Sequence, residues 1–421
     1  MNFRKLTALV LSFSMVFISG CTNLKNEAKK PVDNIQGKIT VWTDKKNIEG
    51  MNLSIGGFKK LHNKAVIQIV EVSDSDLNKK LSDSLNLHSG VPDIVVVEDE
   101  NAQLFLKNFS AALEDTSGDI KKDNYLKYKI DNLTRDGKLL GIPLNSKPGV
   151  LIYRKDLFLS AGINTEYIKT WQDFITAGKG IISKDKVPIL LLPLENEETY
   201  RIYLNQLGGS YFDKTGKAAV NSATAIKTFN MLKNLYADGG IGNTESFATA
   251  LELFSKGKAA SALVSIEDLN KLTSNPELKN KLGIMNLPAF EEGGNVSVTT
   301  GGTNLCILNS SSNKSLALEF SKYEAENRDN IKSLLEKGMM FPAYNNFYTE
   351  NWFLKTDAAL GNIKLWKLLS DEADDIYTIN YTDKFNSVSS AIIPVQQSII
   401  LKGADSKSSL DDLQKRLETL K

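Results

Sequence analysis

Polar side chains follow three predicted strands, at positions where a binding or catalytic site could form. One aromatic and one hydroxyl residue accompany four carboxylates in this set, which comprises Trp42, Asp44, Glu71, Ser73, Glu98 and Asp99. Ligands of open α/β sheets gather at the carboxyl ends of the strands. Carboxylates there accept hydrogen bonds from hydroxyl or ammonium groups, and a pair of them suits acid–base chemistry on glycosides. Each carboxylate is also compatible with a solvated turn, and Trp42 with a place in the core.

The elements that would position these side chains alternate regularly along the first hundred residues. Apolar, β-rich runs at 38–42, 65–72 and 92–97 predict strands, and the segments 51–62 and 76–88 between them predict helices. The third strand is almost entirely apolar, which is typical of a parallel strand buried on both faces. Strand–helix alternation of this kind predicts a doubly wound α/β fold.

The second half of the chain repeats this style without a detectable sequence repeat. Strands are predicted at 149–153, 187–192 and 259–264, and an amphipathic helix at 222–238. The tetrapeptide Thr170-Trp171-Gln172-Asp173 predicts a helix start with a capping box, in which Asp173 replaces the usual glutamate. Together with the length of 421 residues, this predicts two α/β lobes.

Composition excludes several classes of protein. The chain carries 51 Lys and Arg against 50 Asp and Glu, so its net charge of +1 gives no electrostatic reason to bind nucleic acid. Only His62 and His88 are available as imidazole ligands, and the two cysteines cannot build a disulfide framework. We find no catalytic, phosphate-binding or metal-binding motif. The sequence therefore predicts no catalytic residues, no cofactor and no metal site.

The first residues read as an export signal. Arg4 and Lys5 precede an uncharged run at 6–18, which is too short to span a membrane comfortably but suits a signal peptide. The run ends in Ile18-Ser19-Gly20-Cys21, which resembles a bacterial lipobox and implies a lipid, such as palmitate, on Cys21. A plain secretory signal with an incidental cysteine is the alternative. We expect a signal peptide at 1–20, a polar tether at 21–36 and an extracytoplasmic body anchored to the cell membrane.

Eight segments, in this order, resemble the family 1 extracellular solute-binding proteins of ABC importers, of the sugar-binding, maltose-binding-protein-like type. They are GKITVW (37–42), SGVPDIVVVEDE (89–100), DGKLLGIPLNSKPGVLIYRKDLF (136–158), KTWQDF (169–174), LGGSYFD (207–213), ALELFSKGKAASALV (250–264), LGIMNLPAF (282–290) and GGTNLCIL (301–308). The resemblance implies a fold like that of type II periplasmic binding proteins, in which two lobes hinge shut on a solute. Carried over, lobe 1 would comprise 37–145 plus 290–340, and lobe 2 would comprise 146–289 plus 341–421.

The resemblance also adds residues from the crossovers and from lobe 2 to the candidate ligand site. These additions are Ser146, Glu195, Asn196, Tyr200, Glu267, Gly302, Thr303 and Tyr344. Gly302 is equally compatible with an ordinary tight turn. The sequence departs from the maltose-binding pattern at Lys147, where that pattern has a carboxylate. It departs again at 265–268, where the family usually offers a stacking tryptophan, and this loss disfavours a long maltodextrin.

The sequence thus predicts a non-enzymatic, monomeric receptor that captures a sugar or short oligosaccharide and delivers it to the membrane subunits of an ABC permease. The acidic residues around the expected cleft, opposed there by Lys147, leave open a cationic solute such as an amino sugar or polyamine. The sequence also leaves open an exported glycosidase and a sensor subunit that reports solute to a membrane kinase.

Overall fold

The computed structural model describes residues 35–419, apart from the side chain of Glu267. The predicted signal peptide, the lipidation site Cys21 and most of the tether lie outside the described residues. Within 35–419, no helix combines the length and the apolar character that are needed to cross a membrane.

The strands form two five-stranded sheets and two short ribbons. In chain order they are β1 (Gly37–Thr43), β2 (Ala65–Glu71), β3 (Ile94–Glu98), β4 (Thr134–Arg135), β5 (Lys138–Leu139), β6 (Ile142–Pro143), β7 (Asn145–Ser146), β8 (Val150–Arg154), β9 (Leu190–Leu192), β10 (Ile241–Asn243), β11 (Ser261–Val264), β12 (Leu282–Met285), β13 (Thr303–Ile307) and β14 (Phe341–Pro342). The first sheet has the order β2-β1-β3-β13-β6 and the second the order β10-β9-β11-β8-β12.

Each sheet combines a parallel part with an antiparallel part. In the first sheet β1 runs parallel to β2 and β3, whereas β13 is antiparallel to β3 and β6. In the second sheet β9 is parallel to β10 and β11, whereas β8 is antiparallel to β11 and β12. The predicted two-lobed α/β architecture is confirmed. The sheets are mixed because β13 and β8 are the strands that directly follow a passage of the chain from the other sheet.

The helices connect the strands and cover the sheets. They are α1 (Lys45–Leu61), α2 (Asp74–Asn86), α3 (Asp99–Phe109), α4 (Lys127–Leu133), α5 (Lys155–Ser160), α6 (Trp171–Asp185), α7 (Glu197–Gln206), α8 (Ala223–Ala237), α9 (Phe247–Ser255), α10 (Ile266–Thr273), α11 (Lys314–Glu326), α12 (Arg328–Glu336), α13 (Leu365–Ala373), α14 (Phe385–Lys402) and α15 (Ser406–Thr419). In the first lobe α1 packs against α11 and α12, and in the second lobe α14 packs against α7, α8 and α15.

Local sequence accounts for several of these elements. All five residues of β3 are buried, as its apolar composition predicts. Helix α6 begins with the predicted capping box, since the Asp173 amide donates to Thr170 Oγ1 at 3.2 Å and the Thr170 amide donates to Asp173 Oδ2 at 2.8 Å. Cys306 is fully buried in β13 as expected, and burial raises the pKa of its thiol to about 12.

The chain passes between the lobes at 144–149, at 286–302 and next to β14. The first two passages are hydrogen-bonded to each other, because the Lys147 amide donates to the Gly301 carbonyl at 3.0 Å and the Thr300 amide donates to the Lys147 carbonyl at 2.8 Å. Strand β14 pairs with β7 in the first passage. The proposed lobe boundaries lie in or beside these three segments, and the limits of the two moving bodies stay a prediction.

Candidate functional site

A cavity of about 500 Å³ lies between the two lobes. Lobe 1 lines it with the start of α1 and the end of α12, lobe 2 lines it with α10, and the first crossover forms its inner side. The lining residues are Lys46, Asn47, Glu49, Gly50, Met51, Leu144, Asn145, Lys147, Ser265, Asn270, Lys271, Glu324, Leu334, Lys337, Gly338, Met339 and Met340. This volume falls within the range of about 300–1,000 Å³ that is usual for small-ligand sites.

One contact between the lobes forms part of the cavity rim. Lys337 is the residue that directly follows α12. Its carbonyl accepts a hydrogen bond from Asn270 Nδ2 of α10 at 2.8 Å. Gly338 follows with a φ of 63°, and a Cβ there would lie 2.5 Å from the Asn270 Cβ. Both the left-handed backbone and the close approach of α10 therefore require glycine at this position.

A second set of contacts joins the lobes through α3. Arg201 Nη1 of α7 lies 3.3 Å from Glu100 Oε1 of α3, and the Lys107 ammonium lies 2.5 Å from Asp383 Oδ2, just before α14. Arg201 is only 5% exposed and also pairs with Glu197, one helical turn earlier, at 3.1 Å. The lobes are thus in polar contact at two separate places, at the cavity rim and through α3.

Glu98 is the predicted strand-end carboxylate that adjoins the cavity. Its Oε1 lies 3.0 Å from the ammonium of Lys46, a cavity-lining residue that also pairs with Asp74 at 3.1 Å. Burial raises the pKa of Glu98 to about 7; Lys46 and Lys147 oppose this effect, whereas Glu100 and Asp74 reinforce it. Glu98 therefore titrates near neutral pH beside the cavity.

Asp99, the next predicted residue, lies in a buried network of lobe 1. It forms an ion pair with the fully buried Lys129 ammonium, and Asn304 Nδ2 donates to its Oδ1 at 2.9 Å. Gly302 packs against this pair, because a Cβ there would lie 2.6 Å from Asp99 Oδ2. Position 302 therefore holds a glycine because any side chain there would collide with the ion pair. Thr303 is fully buried beside it and does not line the cavity.

Three other lobe 1 candidates have local structural roles. Asp44 caps α1 by accepting from the Lys46 amide at 3.1 Å, and Ser73 caps α2 by accepting from the Asp76 amide at 3.2 Å. Trp42 is 4% exposed, packs in the lobe 1 core and has the Lys80 ammonium 4.7 Å from its ring centroid. These residues do not line the cavity, and neither does the exposed Glu71 at the end of β2.

The lobe 2 candidates are distributed in a similar way. Tyr200 is fully buried in the lobe 2 core, with its ring centroid 3.8 Å from that of Phe229. Asn196 caps α7 by accepting from the Glu198 amide at 2.9 Å, and Glu195 is exposed just before it. None of these lines the cavity.

The crossover candidates also lie outside the cavity lining. Ser146 is fully buried and accepts a hydrogen bond from the Tyr128 hydroxyl at 2.6 Å. Tyr344 is half-buried, with its ring edge against Tyr125 at a centroid distance of 5.2 Å. The side chain of Glu267 lies outside the described residues. The assignment of these positions to ligand binding stays a prediction.

Sequence reasoning missed most of the groups that line the cavity. Its apolar lining includes Met51, Met339 and Met340, and within 35–419 no aromatic ring contributes to it. Arg201 was missed as well, although its spacing of four residues from Glu197 is the usual signal for a helical ion pair. Met339 and Met340 sit in a loop before β14, where composition alone gives no indication of a cavity.

Comparison with known proteins adds independent findings. A family model described as "Bacterial extracellular solute-binding protein" matches residues 43–329. An arabinooligosaccharide-binding protein of Bacillus subtilis (strain 168) is 28% identical over 79% of this chain and 78% of its own length. A lactose-binding protein of Rhizobium radiobacter is 24% identical over 85% of this chain and 86% of its own length.

Solved structures show the same fold. The sugar-binding protein MalE from Xanthomonas citri superposes with a TM-score of 0.77 at 19% identity, covering 91% of this chain and 96% of that chain. The GacH receptor of Streptomyces glaucescens has a TM-score of 0.75 at 19% identity, covering 92% of this chain and 100% of that chain.

The buried Asp99–Lys129 pair predicts a large effect on stability. Replacing Lys129 with Met leaves the Asp99 carboxylate buried without its cation, so we expect the free energy of unfolding to fall by about 3–5 kcal/mol. Urea denaturation followed by circular dichroism measures this change. Lys127→Met is the matched control, because Lys127 pairs with Asp131 at the surface, where we expect a loss below about 1 kcal/mol. Equal losses in the two variants would contradict the role given to Asp99.

The raised pKa of Glu98 predicts a pH-dependent stability difference. The folded protein holds the Glu98 proton up to about pH 7, whereas the unfolded chain releases it near the ordinary value of 4.5. Stability of the wild type relative to Glu98→Gln should therefore fall as pH rises from 4.5 to 7, by about 2–4 kcal/mol, and stay constant above that range. Urea denaturation at pH 5, 6, 7 and 8 tests this, with the exposed Glu71→Gln as control. A difference between wild type and Glu98→Gln that does not change with pH would refute it.

Proposed function

Because the chain belongs to the bacterial extracellular solute-binding protein family, we propose that it captures a sugar or short oligosaccharide and passes it to an ABC permease. The observation that carries this proposal is a cavity that both lobes line, together with the polar contacts that join the lobes. Binding in such a cavity favours the closed arrangement, and the permease reads that arrangement. The arabinooligosaccharide and lactose specificities of the two relatives support a carbohydrate ligand.

The chemistry of the lining suits a sugar. The lining contains hydrogen-bonding groups that suit vicinal hydroxyls. They are the amides of Asn47 and Asn145 and the ammonium groups of Lys46 and Lys147. The methionine side chains offer polarizable apolar surface to the C–H faces of a sugar ring. The mixture of directional polar groups and apolar patches is the usual composition of a small-molecule site.

The cavity favours a short ligand over a long polymer. The space between the lobes is limited by two contacts. One joins Asn270 and Lys337 at the cavity rim, and the other joins Arg201 of α7 to Glu100 of α3. The cavity also lacks the aromatic platforms on which a long chain of glucose units would stack, within the described residues. We therefore infer a ligand of a few sugar units at most.

The alternative of a cationic solute receives little support from the cavity. Four lysines (Lys46, Lys147, Lys271 and Lys337) line it, and the lining carboxylates are Glu49 and Glu324. The acidic residues that suggested a cation, such as Asp99, are engaged in ion pairs within lobe 1. The glycosidase alternative loses support for another reason, because this family consists of receptors that bind solutes without converting them.

A ligand screen by thermal shift and calorimetry tests the proposal. We expect the chain without residues 1–20 to gain about 2.7 kcal/mol of stability at a hundredfold excess of its sugar over Kd. The panel contains arabino- and galacto-oligosaccharides, lactose, amino sugars, spermidine and putrescine. A neutral sugar should bind with an affinity that hardly changes between 50 and 500 mM salt, and chromatography should recover it unaltered. Stabilisation by polyamines alone, or turnover of the sugar, would overturn the proposal.

Transport and sensing predict different cellular phenotypes. Deleting a transport receptor should abolish uptake of the radiolabelled sugar while transcription still responds to it. Deleting a sensor subunit should abolish the transcriptional response and leave uptake in place. We propose the first outcome, with the permease subunits as partners and a monomeric receptor.

The membrane anchor is a further part of the proposal. Support for it comes from the sequence alone, in which Ile18-Ser19-Gly20-Cys21 follows a short uncharged run. We expect cells fed an alkyne analogue of palmitate to label the wild-type protein and to release unlabelled Cys21→Ser into the medium. Cys306→Ser is the control, because that thiol is buried in β13 and its replacement should leave the label in place. Equal labelling of Cys21→Ser and the wild type would exclude lipidation at Cys21.

A further inference from the structure

The interlobe cavity extends into lobe 1 as a recess between α1 and α12. Gly50 and Met51 on α1 line this recess together with Leu334 and Met339. The recess is narrow beside Gly50, because a Cβ there would lie in van der Waals contact with Leu334 Cδ2 at 3.6 Å. At its inner end lies Glu324 of α11, which lines the cavity and is only 2% exposed. A buried carboxyl group thus lies at the inner end of the recess.

Three polar side-chain atoms at this end are buried and have no hydrogen-bond partner among residues 35–419. They are Glu324 Oε1, Ser54 Oγ on α1 and Ser321 Oγ on α11. Asn330 lies beside them, but its amide donates to the Glu324 main-chain carbonyl at 3.4 Å. Burying a carboxyl group without a partner costs several kcal/mol, so such groups are rare in native proteins and call for an explanation.

We infer that the Glu324 carboxyl binds a hydroxyl group of the sugar at the inner end of the recess and selects for sugars that carry this hydroxyl. The inference rests on the proposed function, and it assigns the recess between Met51 and Met339 to the apolar face of the same sugar unit. A ligand hydroxyl would add a hydrogen bond to a carboxyl group that already interacts with Ser54 and Asn330 but whose Oε1 has no partner among residues 35–419. A ligand lacking it would leave the carboxyl buried and unmatched, which is how buried polar groups discriminate strongly between related ligands.

The protonation of Glu324 suits this role. Burial raises the pKa of its carboxyl to about 8, with Ser54 and Asn330 opposing the shift. The group is therefore neutral at pH 7, where it both donates and accepts hydrogen bonds, as a sugar hydroxyl does. At pH 9 the carboxylate only accepts, and the hydrogen bond that it accepts is charge-assisted, so ionisation changes the strength of its contact with the hydroxyl.

Two variants of Glu324 separate binding from folding. Glu324→Leu removes both hydrogen-bonding atoms, so calorimetry should show an affinity at least about tenfold below that of the wild type. Glu324→Gln keeps a donor and an acceptor and should stay within about threefold. Wild-type affinity should change between pH 7 and pH 9, whereas the affinity of Glu324→Gln should not.

A matched control lies two residues further along α11. Glu326 accepts a hydrogen bond from the Tyr125 hydroxyl at 2.8 Å and does not line the cavity, so Glu326→Gln should bind sugar like the wild type. Thermal unfolding of each unliganded variant reports whether it folds. If Glu324→Leu does not fold, the pH comparison between the wild type and Glu324→Gln decides the question.

The outcomes distinguish this inference from the proposed function. If the wild type binds no sugar, the proposed function fails. If the wild type binds sugar but Glu324→Leu binds it equally well, or the affinity of the wild type does not change up to pH 9, the proposed function stands and the role of Glu324 is refuted. Monodeoxy analogues of the bound sugar identify the hydroxyl, since one of them should bind the wild type about as weakly as the parent sugar binds Glu324→Leu.

Discussion

The ion pair between Asp99 and Lys129 fixes the positions of the lobe 1 segments that lead to the cavity. The Lys129 ammonium also donates to the Thr303 carbonyl at 3.2 Å, and the Thr303 amide donates to Asn145 Oδ1 at 2.7 Å. One buried cation thereby holds together the end of β3, the start of β13 and the first crossover. A buried ion pair is stable only when nearly all of its hydrogen bonds are made, so small displacements of any of these segments are costly.

This rigidity sets the positions of the residues that meet lobe 2. Asp99 opens α3, so Glu100 follows it at a fixed place and meets Arg201 of α7. Asn145 lies in the cavity lining itself and is held by the same network. The contacts that α7 and α10 make across the cleft are few and polar, and a buried ion pair such as Arg201–Glu100 adds little net stability because desolvation offsets its attraction. A bound solute that touches both lobes can therefore shift the balance between open and closed arrangements.

The fold was predictable from the sequence because its signals are local. The apolar run of β3, the alternation of strands with helices and the capping box of Thr170 and Asp173 each depend on neighbours within a few residues. The resemblance to the family supplied the type of two-lobed fold. These are the parts of the prediction that the structure and the comparisons confirm.

The candidate site was less predictable because the carboxyl end of a strand is also the start of a helix. A polar residue there serves equally well as a helix cap, as Asp44 and Ser73 do, or as a buried ion, as Asp99 does. The choice depends on distant partners: Lys129 lies 30 residues from Asp99. Tyr200 likewise became a core residue because the ring of Phe229 covers it. No local pattern contains this information.

The methionine-rich lining has a consequence for how selectivity arises. An aromatic ring fixes the distance and tilt of a sugar that stacks on it, whereas Met51, Met339 and Met340 are flexible and adapt to different apolar faces. Discrimination between sugars must then come from directional polar groups. Asn47 belongs to lobe 1 and Ser265 to lobe 2, so a ligand can contact both only when the lobes are together. The proposed closure of the lobes and the recognition of the sugar would therefore contribute to one binding free energy.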